Sequence, residues 1–205
     1  MKIICIGRNY SEHAKELNNS VPKEPLFFCK PDSAILPKRN PLYIPDWTNE
    51  LHYEVELVVK INKLGKYIDV KHAHKYYNEV GIGIDFTARD IQEECKRKGY
   101  PWEKAKGFDG SAAIGKTFYS INSQGGDIQN IKFSLQKNGV TVQNGNTKDM
   151  IFSVDEIISY LSKFMTLKIG DLIFTGTPKG VGRVDVGDEL TCYLESEKLL
   201  RVKIK

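Results

Sequence analysis

The groups in this sequence best placed to do chemistry are carboxylates. In "ELHYEVELVVKI", Glu50 to Ile61, the residues alternate as in a strand, and Glu54, Glu56 and Val58 fall on one face. Residues two apart on a strand point the same way, with Cα atoms roughly 6.6–6.8 Å apart. Two ionised carboxylates that close, where water is scarce, repel, and one tends to take up a proton. A divalent cation removes the conflict, and hard cations such as Mg²⁺ and Mn²⁺ favour oxygen ligands, with positions left for water or substrate. Further on, the apolar run Val80 to Ile84 in "EVGIGIDFTARD" ends in Asp85, followed within a turn by Arg89 and Asp90. Asp85 would complete a three-carboxylate oxygen site. The plainer alternative is a pair of glutamates on an exposed sheet surface and an aspartate that caps a turn. His52 alternates onto the carboxylate face, where a supporting role is expected rather than ligation.

These groups need strands to hold them, and the chain reads as strand-dominated. Met1 to Ile6 predicts a first strand and Ser11 to Leu17 a short helix. Residues 18–47, rich in Pro and turn residues, predict loops and short strands wrapped over the rest. Strands follow at 51–61 and 79–86, with a helix between them from about Val70. "ARDIQEECKRKG" is helical, acidic early and basic late, with Gly99 at its stop. Residues 131–144 predict a hairpin turning at Asn138-Gly139, and "SVDEIISYLSKFM" an amphipathic helix with Ser153 and Glu156 spaced as a capping box. The C-terminal third is strand upon strand. No repeat or low-complexity segment divides the 205 residues, so one α+β domain over 1–205 is expected.

Composition narrows the function class. The net charge of +4, from 30 basic and 26 acidic residues, is spread along the sequence, and the densest basic run, Lys96-Arg97-Lys98, reads as a solvated helix end. No nucleic-acid partner is expected. Cys5, Cys29, Cys95 and Cys192 form no CxxC pair, which argues against zinc and against a disulfide framework. With no apolar run near the roughly 20 residues of a membrane span and no signal-peptide pattern, a soluble cytoplasmic protein is expected.

Six stretches taken together, "GRNYSEHAKE", "FFCKP", "HYEVEL", "DFTARDIQEECKRKGYPWEKAKGFD", "MIFS" and "IFTGTPKGVG", resemble the fumarylacetoacetate hydrolase family. The resemblance is to its small branch of acylpyruvate hydrolases and oxaloacetate decarboxylases, and it runs in order from about Ile4 to Glu189. It implies a mixed β roll of twisted sheets, a short N-terminal lid helix within a lid region of about residues 7–30, a homodimer, and Mg²⁺ or Mn²⁺. It places the metal on Glu54, Glu56 and Asp85. It places substrate contacts on Arg89, Gln92, Thr175 and Lys30, and catalytic roles on Lys106 and on the lid pair His13 and Glu16.

The residues give these assignments a physical sense. His13 and Glu16, three apart, share one helix face, where the carboxylate would orient the imidazole and favour its charged form; an ordinary surface pair is the alternative. The glycines of "TGTPKGVG" do not have phosphate-loop order, but could bring backbone N–H groups close to an anion, or simply form a tight turn. The expected activity is cleavage of short acylpyruvates to pyruvate and a carboxylic acid, with decarboxylation of oxaloacetate through the same enolate. Isomerisation, tautomerisation or dehydration of related 2-oxo acids is the alternative within enzymes, and a silent oxo-acid binding module the alternative outside them.

Overall fold

Val55 to Val59 are apolar or buried at every position, a pattern that fits only a strand covered on both faces. In the structure, a computed structural model that describes residues 1–16, 20–121 and 127–205, this strand lies inside a seven-stranded sheet. In chain order the elements begin with β1 (Ile3–Gly7), α1 (Ser11–Glu16), β2 (Leu26–Lys30), β3 (Leu51–Tyr53), β4 (Val55–Ile61), α2 (Val70–Ala73), β5 (Tyr77–Asp85) and β6 (Thr87–Ala88). There follow α3 (Arg89–Lys98), α4 (Glu103–Lys106), β7 (Ala112–Ile114), β8 (Tyr119–Ser120), β9 (Lys132–Lys137), β10 (Val140–Asn146) and α5 (Val154–Phe164). The chain closes with β11 (Leu172–Phe174), β12 (Gly182–Arg183), β13 (Glu189–Leu194) and β14 (Glu197–Lys203). Leu17, the expected end of the first helix, lies outside the described residues.

The large sheet runs β2-β1-β11-β4-β5-β7, with β8 also on β5; a second sheet runs β10-β9-β13-β14 and a third β12-β3-β6. Only β1 with β11 is parallel in the large sheet. The main core joins these sheets: Val55, Leu57 and Ile82 from the first meet Leu135, Leu190 and Cys192 from the second. The strand-dominated α+β class read from the sequence, and the mixed twisted sheets that the resemblance implies, are what the structure shows. None of the described helices is long and apolar enough to cross a membrane.

One expectation needs correcting. Residues 51–61 are not one strand, because Glu54 interrupts it and the chain changes sheets there. Its partner does the same: Ile84 pairs with Val55 in the large sheet, whereas Thr87 pairs with His52 in the small one. Two paired strands thus turn the same corner together, and the Asp85 N–H donates to the Glu54 carbonyl at 2.9 Å where they turn.

The local signals elsewhere hold. Asn138 and Gly139 both have positive φ, 53° and 80°, as a two-residue hairpin turn requires. Gly99 closes α3 in the left-handed region at φ 69°. Ser153 and Glu156 form the capping box of α5, which buries Val154, Ile157, Ile158 and Leu161. Ser153→Ala is expected to destabilise the protein by about 1 kcal/mol, the usual value of an N-cap, read from urea unfolding.

Candidate active site

The corner between the sheets gathers the carboxylates. Glu54, Glu56 and Asp85 are 5%, 2% and 1% exposed, and each offers an oxygen within 4.8 Å of the others. Glu54 sits at the strand break, Glu56 on β4 and Asp85 at the last position of β5.

Cations surround two of the three. The Lys106 ammonium, at the end of α4, bridges Glu54 Oε2 at 2.8 Å and Asp85 Oδ2 at 2.9 Å, and also reaches Thr87 Oγ1 at 2.5 Å. Arg89 Nη2 donates to Glu54 Oε1, its Nη1 donates to Gln92 Oε1 at 2.6 Å, and its Nε faces His52 Nδ1 at 3.5 Å. His52 is held in turn by Glu50 at 3.0 Å, so it braces the guanidinium, the supporting role its position suggested. Burial pushes the Glu54 carboxyl up, but Lys106 and Arg89 together outweigh it and hold it well below the usual carboxylate range. Lys106 is lowered by burial and raised by Asp85 and Glu54, and the carboxylates win.

Glu56 is different. Among the described residues it forms no ion pair, and its one hydrogen bond is from the Gly176 N–H at 2.7 Å. Burial, then the charges of Asp85 and Glu54, push its carboxyl well above the usual range. Asp85 Oδ1 is buried and accepts no hydrogen bond, although the Lys30 ammonium stands 2.8 Å away. Three buried carboxyls within 4.8 Å of one another, one of them with no ion pair among the described residues, are a costly arrangement for a protein alone. It is a good fit for a hard divalent cation with oxygen ligands.

Around this cluster the structure sorts the expected contact residues into two groups. His13, Arg89, Gln92 and Lys106 line a cleft of about 30 Å³ together with the carboxylates and Thr177. Lys30 and Thr175 lie behind its wall. The Lys30 side chain is 0% exposed, and its ammonium donates to the Lys106 carbonyl and to Ser111 O and Oγ at 3.2 and 3.1 Å. Thr175 is fully buried and gives its hydroxyl to the Leu57 carbonyl at 3.0 Å. Neither lines the cleft; past the end of β11 its wall is Thr177.

Helix α1 brings His13 into the cleft of the carboxylates, 5% exposed, with Nδ1 3.3 Å from Glu16 Oε2. A carboxylate only accepts, so Nδ1 carries the proton and Nε2 the lone pair. Burial lowers the His13 pKa, and the charges of Glu54 and Glu16 oppose it without prevailing. The imidazole is therefore biased towards its neutral form, opposite to the effect expected from the carboxylate neighbour alone. Glu16 also accepts from the Gly180 N–H at 3.0 and 3.2 Å, tying the lid to the loop "TGTPKGVG".

That loop does present N–H groups to anions, and the anions are the chain's own: Gly176 to Glu56 and Gly180 to Glu16. Both glycines are obligatory. At φ +102° a Cβ on Gly176 would lie 2.7 Å from that of Asn9, and at φ +95° one on Gly180 would lie 2.2 Å from the Val142 carbonyl oxygen. Two supporting residues escaped the sequence reading. Asn9, fully buried, donates to the carbonyls of Thr175 at 2.8 Å and Phe152 at 3.1 Å, and accepts from Phe152 N at 2.8 Å. Gln143, at an irregularity in β10, accepts from Val55 N and donates to Thr177 Oγ1 and the Pro178 carbonyl, each at 2.9 Å. Asn9 stands in "GRNY" after Arg8, whose φ of 59° marks a tight turn; nothing local distinguishes Gln143 from an exposed strand residue.

A carboxylate cluster set where two paired strands change sheets, under a histidine-bearing helix, is the architecture of a metal-dependent enzyme. The chain belongs to the fumarylacetoacetate hydrolase family: residues 2–205 match the family described as fumarylacetoacetate (FAA) hydrolase C-terminal. It is 43% identical over 198 residues to oxaloacetate tautomerase YcgM of Escherichia coli K12, covering 97% of this chain and 90% of that one. It is 42% identical over 192 residues to the mitochondrial oxaloacetate decarboxylase of Dictyostelium discoideum, covering 93% and 87%. Among solved structures it is similar to fumarylpyruvate hydrolase of Pseudomonas aeruginosa in complex with Mn²⁺ and pyruvate. That match has a TM-score of 0.92 and 39% identity and covers 100% of this chain and 89% of the other.

Proposed function

We propose that this protein is a divalent-metal-dependent enzyme of short 2-oxo acids whose main reaction is the enol–keto interconversion of oxaloacetate. The observation that carries this reading is His13: 5% exposed, in one cleft with the three carboxylates, its Nδ1 held by Glu16 and its Nε2 left for a substrate. Tautomerisation needs a group that takes a proton from one substrate atom and returns it to another, and a neutral imidazole does both near pH 7. The likeness to oxaloacetate tautomerase YcgM supports the choice of substrate.

Glu54, Glu56 and Asp85 would hold Mg²⁺ or Mn²⁺. When bound, the cation supplies positive charge beside the substrate's 2-oxo group, where negative charge develops on the enolate oxygen. His13 Nε2 exchanges the proton at C3, and Glu16 holds Nδ1–H so that the lone pair faces the substrate. Arg89, with Gln92 fixing its guanidinium, grips a substrate carboxylate. Lys106, whose three N–H groups go to Glu54, Asp85 and Thr87, holds the two carboxylates in place and adds positive charge beside the oxygen that gains negative charge. The narrow cleft under the lid limits water while the enolate exists.

A second reading, carbon–carbon cleavage of acylpyruvates, draws on the likeness to fumarylpyruvate hydrolase. There His13 would take its proton from a water that attacks the acyl carbonyl. Decarboxylation of oxaloacetate requires the same enolate and no water.

The test follows loss of the enol absorbance of oxaloacetate, and pyruvate release from oxaloacetate and acetylpyruvate, with Mg²⁺, with Mn²⁺ and with EDTA. Metal-dependent enol loss that outpaces pyruvate release is the expected result. Pyruvate release matching enol loss would make cleavage or decarboxylation the main reaction, and no acceleration over the free metal would overturn the assignment. His13→Gln is expected to lower kcat for tautomerisation by about 10²–10⁴-fold, the usual contribution of a positioned acid–base group.

A further inference from the structure

A second cavity, of about 700 Å³, is far roomier than the cleft at the carboxylates and shares no lining residue with it. Its walls are β14, the segment 36–41 and the chain from Ala113 to Tyr119. Residues remote in sequence meet there: Lys38 and Arg39 from one wall, Lys116 from the second, Lys198, Arg201 and Lys203 from the third. Lys205 also borders it, and no aspartate or glutamate does. All these side chains are exposed. Among the described residues the only ion pair any of them makes is Arg201 with Glu189, at 2.5 Å. So the positive charge that looks evenly spread along the sequence is concentrated by folding at one concavity.

The floor is not charged. Leu36, Ile114, Leu199 and Leu200 are half-buried there, with Tyr119 at one end. The volume falls in the range of small-molecule sites, about 300–1,000 Å³, which pair an apolar floor with a few charged groups. We propose that this cavity binds a small polyanion that carries an apolar ring, a nucleoside polyphosphate, with the phosphates among the lysines and the base on the Leu–Ile–Tyr floor. A second copy of the chain fits less well, since a two-fold contact would set this cationic face against itself. A nucleic acid needs a stripe of charge along a surface, whereas here the cations rim a pocket with an apolar floor.

The experiment is titration calorimetry of the intact protein, freed of metal with EDTA, against ATP, tripolyphosphate and adenosine, with gel-shift and sedimentation measurements alongside. The variant is Lys116→Glu/Lys198→Glu, at two exposed positions that border this cavity and not the carboxylate cleft; its circular dichroism and oxaloacetate turnover should match wild type. The expected result is ATP binding at micromolar concentration, at least tenfold weaker in the variant and weakened again at high salt. Tripolyphosphate should bind more weakly than ATP. No ATP binding at 1 mM, or binding that the variant leaves unchanged, would overturn the proposal. Tripolyphosphate binding as tightly as ATP would overturn the role of the apolar floor. A shift of single- or double-stranded DNA without ATP binding would assign the groove to nucleic acid, and a change of assembly state in the variant without ATP binding would assign it to a second copy of the chain; either refutes the proposal.

Discussion

Glu56→Gln leaves a folded protein that no longer turns over substrate and no longer gains stability from Mn²⁺. The two halves of this expectation have one origin. In the metal-free protein Glu56 is a buried carboxyl that forms no ion pair among the described residues, its pKa pushed up by burial, Asp85 and Glu54. Glutamine has the same shape, keeps a carbonyl oxygen for the Gly176 N–H, and removes the charge. The metal-free variant should therefore melt at the same temperature as wild type or higher. Mn²⁺ at about 100 times its dissociation constant stabilises a protein by about 2.7 kcal/mol. With one of three anionic ligands gone, that gain should vanish at the same Mn²⁺ concentration. Thermal melts with and without Mn²⁺, beside oxaloacetate turnover, read both effects. A normal Mn²⁺ shift in the variant would remove Glu56 from the ligand set.

Lys106→Met is expected to act in the opposite sense on the metal-free protein. The ammonium bridges Glu54 and Asp85, and methionine fills similar volume without the charge. Two buried carboxylates then lose their shared counter-ion, a change that costs about 3–5 kcal/mol. Arg89 still holds Glu54 and Lys30 still faces Asp85, so the lower end applies. A divalent cation among the same oxygens would take over part of the lost compensation. Mn²⁺ should therefore raise the melting temperature of Lys106→Met by more than it raises that of wild type, while turnover stays low. Equal Mn²⁺ shifts in the two proteins would separate Lys106 from the cation site and leave it as a structural lysine.

The sequence showed which carboxylates would meet, because same-face spacing on a strand and an aspartate ending an apolar run are local signals. It did not show why they meet. The break at Glu54 depends on a paired strand that changes sheets at the same point, and no residue near Glu54 records that pairing. The capping box, the Asn138-Gly139 turn and the glycine stop of α3 were legible for the same local reason. The inner ring was not: the resemblance alone put Lys30 and Thr175 among the contact residues, and their bonds to Lys106, Ser111 and Leu57 join segments that nothing local relates. The charge map was the least legible part, since Lys38, Lys116 and Lys198 are dozens of residues apart and only the meeting of β14 with the 36–41 and 113–119 segments brings them to one cavity.

The parallel pairing of β1 with β11 sets Ile3 beside Leu172 and Cys5 beside Phe174. Such a contact closes nearly the whole chain into one loop, and pairings this distant in sequence form late and slowly. The lid hangs from β1 and the glycine loop follows β11, so Glu16 meets Gly180 only after that closure. A nascent chain emerging from the ribosome would carry Glu54, Glu56 and Asp85 long before Gly176 or Gly180 had been synthesised. Catalytic competence should therefore appear as the last event of refolding, in step with the slowest phase, which makes recovered turnover a direct clock for completion of the large sheet.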